Sequence, residues 1–162
     1  MPADELPDHE PVDHEPVDHE PVDHEPVDHE PVDHEAVDHE LIEAAAEIAR
    51  TRSRGDHHTM AAAARAADGR VVTAINAYHF TGGPCAELVL VGSAAAQGVY
   101  DLDTIVAVGD RERGVMPPCG RCRQFLSDYF PDLKVIVGAG DRPRTVRISA
   151  LLPESYVWAD QQ

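Results

Sequence analysis

Four side chains in two short segments have the types and spacing to do chemistry: Cys85 and Glu87 in Cys85-Ala86-Glu87, and Cys119 and Cys122 in Pro118-Cys119-Gly120-Arg121-Cys122. Two thiols three residues apart lie one turn apart when their segment opens a helix. There they are close enough to share a metal, and the positive end of the helix dipole favours their thiolate forms. Cys85 has the same placement before a second run rich in Ala and Leu. Three thiolates leave one tetrahedral position of a zinc ion open, which distinguishes a catalytic zinc from a closed structural one. Zinc lowers the pKa of water from about 15.7 toward about 7, and a carboxylate two residues from a ligand can move the released proton. Glu87 is that carboxylate. The alternatives are a redox dithiol or part of a structural zinc site at Cys119 and Cys122, with His79 as a fourth ligand that closes the metal.

These residues need helices that start where the cysteines stand. Gly82-Gly83-Pro84 breaks the chain, and proline suits a first helical turn, so a helix is expected over Cys85 to Gln97 with Gly98 as its stop. Pro117-Pro118 precedes a second, Cys119 to Tyr129. Met60 to Ala67 and Val71 to Ala77 read as strands joined by Asp68-Gly69, a favoured hairpin dipeptide. Thr104 to Val108 and Val135 to Val137 are short apolar runs of the buried-strand type. An opening helix and hairpin followed by alternating helices and strands imply an α/β domain, a three-layer α-β-α sandwich around a mixed sheet.

The domain is preceded by something different in kind. Asp-His-Glu recurs from Asp8, Asp13, Asp18, Asp23, Asp28, Asp33 and Asp38, and from Pro11 to Glu35 the unit is Pro-Val-Asp-His-Glu. A proline every fifth residue interrupts any helix, and one Val per unit cannot build a core, so residues 1–36 are expected to form a disordered acidic arm. Its His and carboxylates suit weak chelation, but the composition alone describes a solvated arm, and no chemistry is assigned to it. The proline is replaced at Ala36, and Val37, Leu41, Ile42, Ala45 and Ile48 follow at helical spacing, which puts the start of a domain of residues 37–162 at the last repeat.

The formal charge of −17 over 162 residues belongs mostly to that arm, since residues 1–40 hold 16 acids and no Lys or Arg, leaving 14 acids against 13 bases. A near-neutral body with three Phe, four Tyr and one Trp lacks the basic stripe and interleaved aromatics of a nucleic-acid groove. No run is long and apolar enough for a membrane span, and no secretory leader is evident, so a cytoplasmic protein without membrane or nucleic-acid partners is expected. Three cysteines cannot all pair.

The segments Asn76-Ala-Tyr-His-Phe-Thr-Gly-Gly-Pro-Cys-Ala-Glu-Leu88 and Arg113-Gly-Val-Met-Pro-Pro-Cys-Gly-Arg-Cys-Arg-Gln124, with Leu151-Leu-Pro-Glu-Ser-Tyr-Val-Trp158, resemble the blasticidin S deaminases of the cytidine deaminase superfamily. The order Cys, Glu two residues on, then Pro-Cys-x-x-Cys is that of the zinc nucleobase deaminases, whose Glu is a general acid/base and not a ligand. The resemblance covers most of residues 41–158 and has no counterpart for the arm. It implies a sheet of about five strands, a homotetramer with active sites near subunit contacts, and hydrolysis of a cytosine 4-amino group with release of ammonia. It also implies one zinc held by Cys85, Cys119 and Cys122, with Glu87 as proton shuttle.

The resemblance implies substrate-pocket groups at Thr59, Arg113, Tyr156 and Trp158, Thr59 standing in place of a Ser, while Asn76 ends the second strand, where its amide either hydrogen-bonds the substrate's sugar or stabilises the turn. Arg113 or Arg121 would offset the negative charge of a three-thiolate zinc. Tyr156 and Trp158 could stack on a planar base. Ordinary cytidine deaminases carry a ribose-gripping Glu where this chain has Tyr78, and an Arg where it has Leu88. Both departures favour an aminoacylnucleoside antibiotic such as blasticidin S over cytidine or deoxycytidine salvage. A non-catalytic zinc-stabilised module is the third reading.

Overall fold

The computed structural model describes residues 36–138 and 142–157. The elements run α1 (His39–Arg52), β1 (Met60–Ala66), β2 (Val71–Ile75), α2 (Ala86–Ala96), β3 (Leu102–Gly109), β4 (Gly114–Met116), α3 (Gly120–Tyr129), β5 (Lys134–Val137) and β6 (Arg144–Arg147), with a 3₁₀ turn at Ile148–Leu151. The sheet has six strands in the order β2-β1-β3-β5-β6, with β4 paired to β3. Only β3 and β5 are parallel, joined through α3; the other pairs are antiparallel, which makes the sheet mixed.

The sheet is the middle of three layers, as its alternating side chains show. Ala61, Ala63, Val106, Val108 and Ile136 pack under Leu41, Ala45 and Ala49 of α1. Ala62, Ala64, Ile105, Val135 and Val137 pack on the other face against Ala86, Leu90 and Ala94 of α2 and Leu126 of α3. Ala61 to Ala64 of β1 are fully buried. Alanine is a poor strand former in isolation, but between two helical layers its small side chain fits, and packing overrides propensity.

Two strands were not among the four runs read from the sequence. β4 is three residues long and takes the edge of β3 at Ala107 to Gly109, beyond the stretch that β5 occupies at Thr104 to Val106. β6 is an edge strand with Arg144 and Arg147 exposed at its ends and Thr145 and Val146 buried. Neither has enough apolar residues to announce itself.

The last copy of the repeat is part of the fold. Asp38 caps α1, accepting a hydrogen bond from the Leu41 amide at 2.9 Å, and pairs with Arg65 Nε of β1 at 2.6 Å. Glu40 of the same copy meets Arg65 Nη2 at 3.1 Å. The Arg65 side chain, its hydrogen bond first, and the Leu41 amide outweigh partial burial and hold the Asp38 carboxyl below its ordinary value.

Register brings three strand ends to one edge of the sheet. Met60 pairs with Gly109 and Ala61 with Ile75, so the start of β1 and the ends of β2 and β3 lie together. The chain leaves that edge from β2 toward α2 and from β4 toward α3. Both helices therefore begin there, where ligands of α/β sheets commonly bind.

Candidate metal and catalytic site

Cys85 and Cys119 are the N-cap residues of α2 and α3, with φ, ψ of −65°, 162° and −68°, 167°. Neither cap residue donates or accepts a side-chain cap hydrogen bond, so both thiols are left to face one another. Cys122 lies in the first turn of α3 and is fully buried. The Sγ atoms of Cys85 and Cys119 are 3.8 Å apart and those of Cys119 and Cys122 are 3.6 Å apart. All three fall within 4.8 Å of one another. Tetrahedral zinc with Zn–S bonds of about 2.3 Å requires sulfur separations of about 3.8 Å. Two of the three sulfur pairs are thus at zinc-binding spacing and the third lies within 4.8 Å, and soft sulfur donors suit zinc over a hard cation.

The electrostatics of the thiols differ. Burial pushes the Cys122 thiol far up, with the nearby Glu87 carboxylate adding to it. Burial also raises Cys85. Cys119 goes the other way: burial opposes ionisation, but the Cys122 amide, the Cys122 and Cys85 thiols and the Arg121 amide together hold it low. A bound cation removes the mutual repulsion that keeps three such thiols from ionising together. The two helix N-termini add positive potential at the same place.

Glu87 is in the first turn of α2 and only 6% exposed. Burial raises its carboxyl above the ordinary range, while its own backbone amide and the Cys122 thiol act in the opposite sense. A carboxylate beside a metal site with its pKa moved toward neutrality suits proton transfer.

His79 does not join the group. Its ring is exposed, 2.5 Å from the Thr81 hydroxyl through Nδ1, and tilted against Phe80 at 4.5 Å between centroids. Among the described residues the metal-binding cluster consists of the three cysteines. Two features shape the loop between β2 and Cys85. The Ala77 amide donates to the Pro84 carbonyl at 3.2 Å, and Gly83 lies so close to that turn that a Cβ would fall 1.9 Å from the Ala77 carbonyl oxygen.

Thr59, Asn76 and Arg113 are brought together. Asn76, 8% exposed, accepts through Oδ1 from the amides of Thr59 at 2.7 Å and Met60 at 2.9 Å. His58 Nδ1 donates to the Asn76 carbonyl at 2.7 Å. Arg113 Nη2 donates to the Thr59 carbonyl and to Asp110 Oδ1, both at 2.6 Å. Among the described residues the Thr59 hydroxyl, Asn76 Nδ2 and Arg113 Nη1 have no hydrogen-bond partner, and the Arg113 side chain is 42% exposed.

Arg113 therefore pairs with Asp110 and not with a cysteine, and the Arg121 side chain is exposed. The direct positive contacts to Cys119 come from backbone amides. Tyr156 is 59% exposed, its carbonyl accepting from Gln124 Nε2 of α3 at 2.8 Å. Trp158 lies outside the described residues.

Asp110 and Arg123 join these contacts although no motif in the sequence marks them. Arg123 Nε donates to the Pro118 carbonyl at 2.9 Å and its Nη1 to Leu151 at 3.0 Å, which fixes the segment entering Cys119. Its adjacency to Cys122 was the available signal. A cavity of about 640 Å³ on the α1 side, lined by Ser53, Arg54, Val108 and Asp110 among others, includes none of the thiols or Glu87.

A family model described as the cytidine and deoxycytidylate deaminase zinc-binding region matches residues 35–139. The blasticidin-S deaminase of Bacillus cereus is 35% identical over 125 residues, covering 72% of this chain and 89% of that protein. A cytidine deaminase of Halalkalibacterium halodurans is 36% identical over 98 residues, 57% of this chain and 73% of that one. Among solved structures, cytidine deaminase from Burkholderia pseudomallei superposes with a TM-score of 0.63 at 29% identity, over 75% of this chain and 100% of that one. A variant of the Mycobacterium tuberculosis enzyme gives 0.62 at 30% identity, over 77% and 99%.

Proposed function

The chain belongs to the cytidine and deoxycytidylate deaminase family, and from that membership we propose that it removes the 4-amino group of an aminoacylnucleoside antibiotic of the blasticidin S type. It is a zinc-dependent aminohydrolase that acts on a cytosine nucleoside and releases ammonia. The observation that supports the assignment of roles is the meeting of Cys85, Cys119 and Cys122 at two helix N-termini, with buried Glu87 beside them.

Cys85, Cys119 and Cys122 would hold the zinc, which when bound supplies a nucleophilic water near neutral pH and electrophilic pull at the reacting carbon. Glu87 takes a proton at the attack step and delivers one to ring N3. It then takes the second proton from the hydroxyl newly formed at C4 and passes it to the departing amine, so that water and substrate become the 4-carbonyl nucleoside and ammonia. Its burial keeps bulk water from competing for the proton. Thr59, Asn76 and Arg113 bind the sugar side through their unpartnered polar ends, already held in place by one another. Pre-organisation of this kind lowers the cost of ordering the site when substrate binds. Tyr156 and Trp158 would cover the base.

Tyr78 and Leu88 support the antibiotic substrate over cytidine. A site built around a ribose-binding carboxylate loses discrimination when that carboxylate is absent. Tyr78 presents a 58% exposed ring in its place. The cytidine deaminase relatives support salvage as the second reading. A homotetramer is proposed on the family resemblance, and assembly would cover part of the exposed Phe80 (84%), Tyr78 and Tyr156 (59%). A reducing, cytoplasmic location keeps the thiols available, and among the described residues no helix is long and apolar enough to cross a membrane. The arm of residues 1–36 is proposed to take no part in catalysis.

Absorbance assays with blasticidin S, cytidine and deoxycytidine, with and without chelator, test the assignment. Chelator-sensitive turnover with blasticidin S preferred supports it. Preference for cytidine selects salvage, and no turnover of any of the three refutes both.

A further inference from the structure

The β3–β4 turn is built to hold one side chain. Arg111 and Glu112 both have left-handed backbones, with φ of 50° and 61°, although neither is glycine. This geometry lets the Arg113 amide close the turn on the Asp110 carbonyl at 3.1 Å. Arg113 then folds back across Gly109, where a Cβ would lie 2.9 Å from its Cβ and Nε. Backbone strain of this kind persists where the surroundings over-determine it.

Asp110 fixes the result. It is 8% exposed, its Oδ1 accepts from Arg113 Nη2 at 2.6 Å, and its carbonyl accepts from Arg113 Nε at 3.3 Å. Its amide donates to the Thr59 carbonyl at 3.0 Å, which also accepts from Arg113 Nη2 at 2.6 Å. Arg111 Nε stands 3.8 Å from the other carboxylate oxygen. Two sides of the guanidinium are thus occupied, leaving Nη1 without a partner among the described residues.

We propose that Asp110 is a positioning residue for substrate binding: it sets Arg113 across Gly109 so that Nη1 meets an oxygen acceptor on the sugar side of the nucleoside, and it fixes Thr59 through its carbonyl. This rests on the role given to Arg113 above. A guanidinium held by a carboxylate loses few conformations when it binds a second acceptor, and a lysine cannot serve two acceptors in the same fork geometry.

Asp110→Asn, Arg113→Gln, Arg113→Lys and the double variant Asp110→Asn/Arg113→Gln are to be compared in steady-state kinetics. Asp110→Asn is expected to raise KM about tenfold, the loss of one charge-assisted hydrogen bond, while kcat stays within about twofold. Added to Arg113→Gln it should change nothing further, and Arg113→Lys should not restore KM. Gly109→Ala, which displaces Arg113 from the opposite side, should raise KM without touching the carboxylate. It also keeps the test open if Asp110→Asn folds poorly. Independently of turnover, the Arg113 Nε–H resonance of ¹⁵N-arginine-labelled holoenzyme should be sharp in the parent and lost in Asp110→Asn. An unchanged KM, an equal rise in the Arg113→Gln background, or an unchanged resonance overturns the proposal. If the parent turns over no cytosine nucleoside, the functional reading falls, and the resonance alone decides whether Asp110 holds the guanidinium.

Discussion

Cys85 and Cys119 occupy equivalent positions on two different helices: each is an N-cap residue with φ within 3° of the other, and their sulfurs are 3.8 Å apart. Sequence neighbours do not create this pairing. The sheet does, by ending β2 and β3 at one edge, from which the chain runs into α2 directly and into α3 by way of β4. A third thiol, Cys122, completes the triangle from within α3, and Glu87 enters from α2.

Removal of one corner should release the metal. Cys122→Ser is expected to lower zinc from about one per chain to a small fraction, read by elemental analysis, because hydroxyl is a poor replacement for thiolate at zinc. Chelator should lower the melting temperature of the parent far more than that of the variant, since metal binding energy is also folding energy. A variant that keeps one zinc per chain would remove Cys122 from the ligand set.

The acid side of the stability curve should report on Asp38. Arg65 and the Leu41 amide hold its folded pKa below the ordinary value. A lowered folded pKa means that the ionised form favours folding. The contribution is complete above the unfolded value near about 3.9 and disappears as pH falls through the folded value. Asp38→Asn keeps a capping side chain but removes the ion pair, so it should flatten this acid slope. Asp38→Ala should cost about 1 kcal/mol more through loss of the cap. Denaturation curves from pH 2 to 7 of both variants, compared with the parent, check this; an unaltered slope in Asp38→Asn would refute the ion-pair origin.

Gly83→Ala tests the loop that delivers Cys85. The new Cβ would fall 1.9 Å from the Ala77 carbonyl oxygen, so the backbone must move. A destabilisation of about 1–3 kcal/mol is expected for such overpacking. The displacement is only two residues from a proposed ligand, so zinc should also dissociate faster, as measured by transfer to a chromogenic chelator. A stable variant with parental zinc release would show that the loop does not set the site.

The metal triangle was legible because each of its elements has a local signature. Proline precedes both cysteine segments, helix-forming runs follow, and the spacing from Cys119 to Cys122 is one helical turn. The three layers followed from the alternation of elements, and the family resemblance agreed with them. β4 and β6 were not legible, because three or four residues give no periodicity and Arg144 and Arg147 read as loop. The Asp110 to Arg113 clamp was hidden for another reason. Two consecutive left-handed residues at Arg111 and Glu112 carry no glycine to mark them, and the Thr59 carbonyl that completes the clamp is 54 residues away in sequence from Arg113. The backbone amides of Cys122 and Arg121 that favour the Cys119 thiolate carry no side-chain pattern to reveal them.

Glu87 is the residue on which the account turns, and one paired measurement addresses it. Parent and Glu87→Gln, each with its zinc content determined, are assayed for ammonia release from blasticidin S and cytidine. With zinc retained at the parental level, the variant should lose about 10²–10⁴-fold in kcat, the usual contribution of a positioned general acid/base. A zinc-replete Glu87→Gln that deaminates at the parental rate would contradict the account.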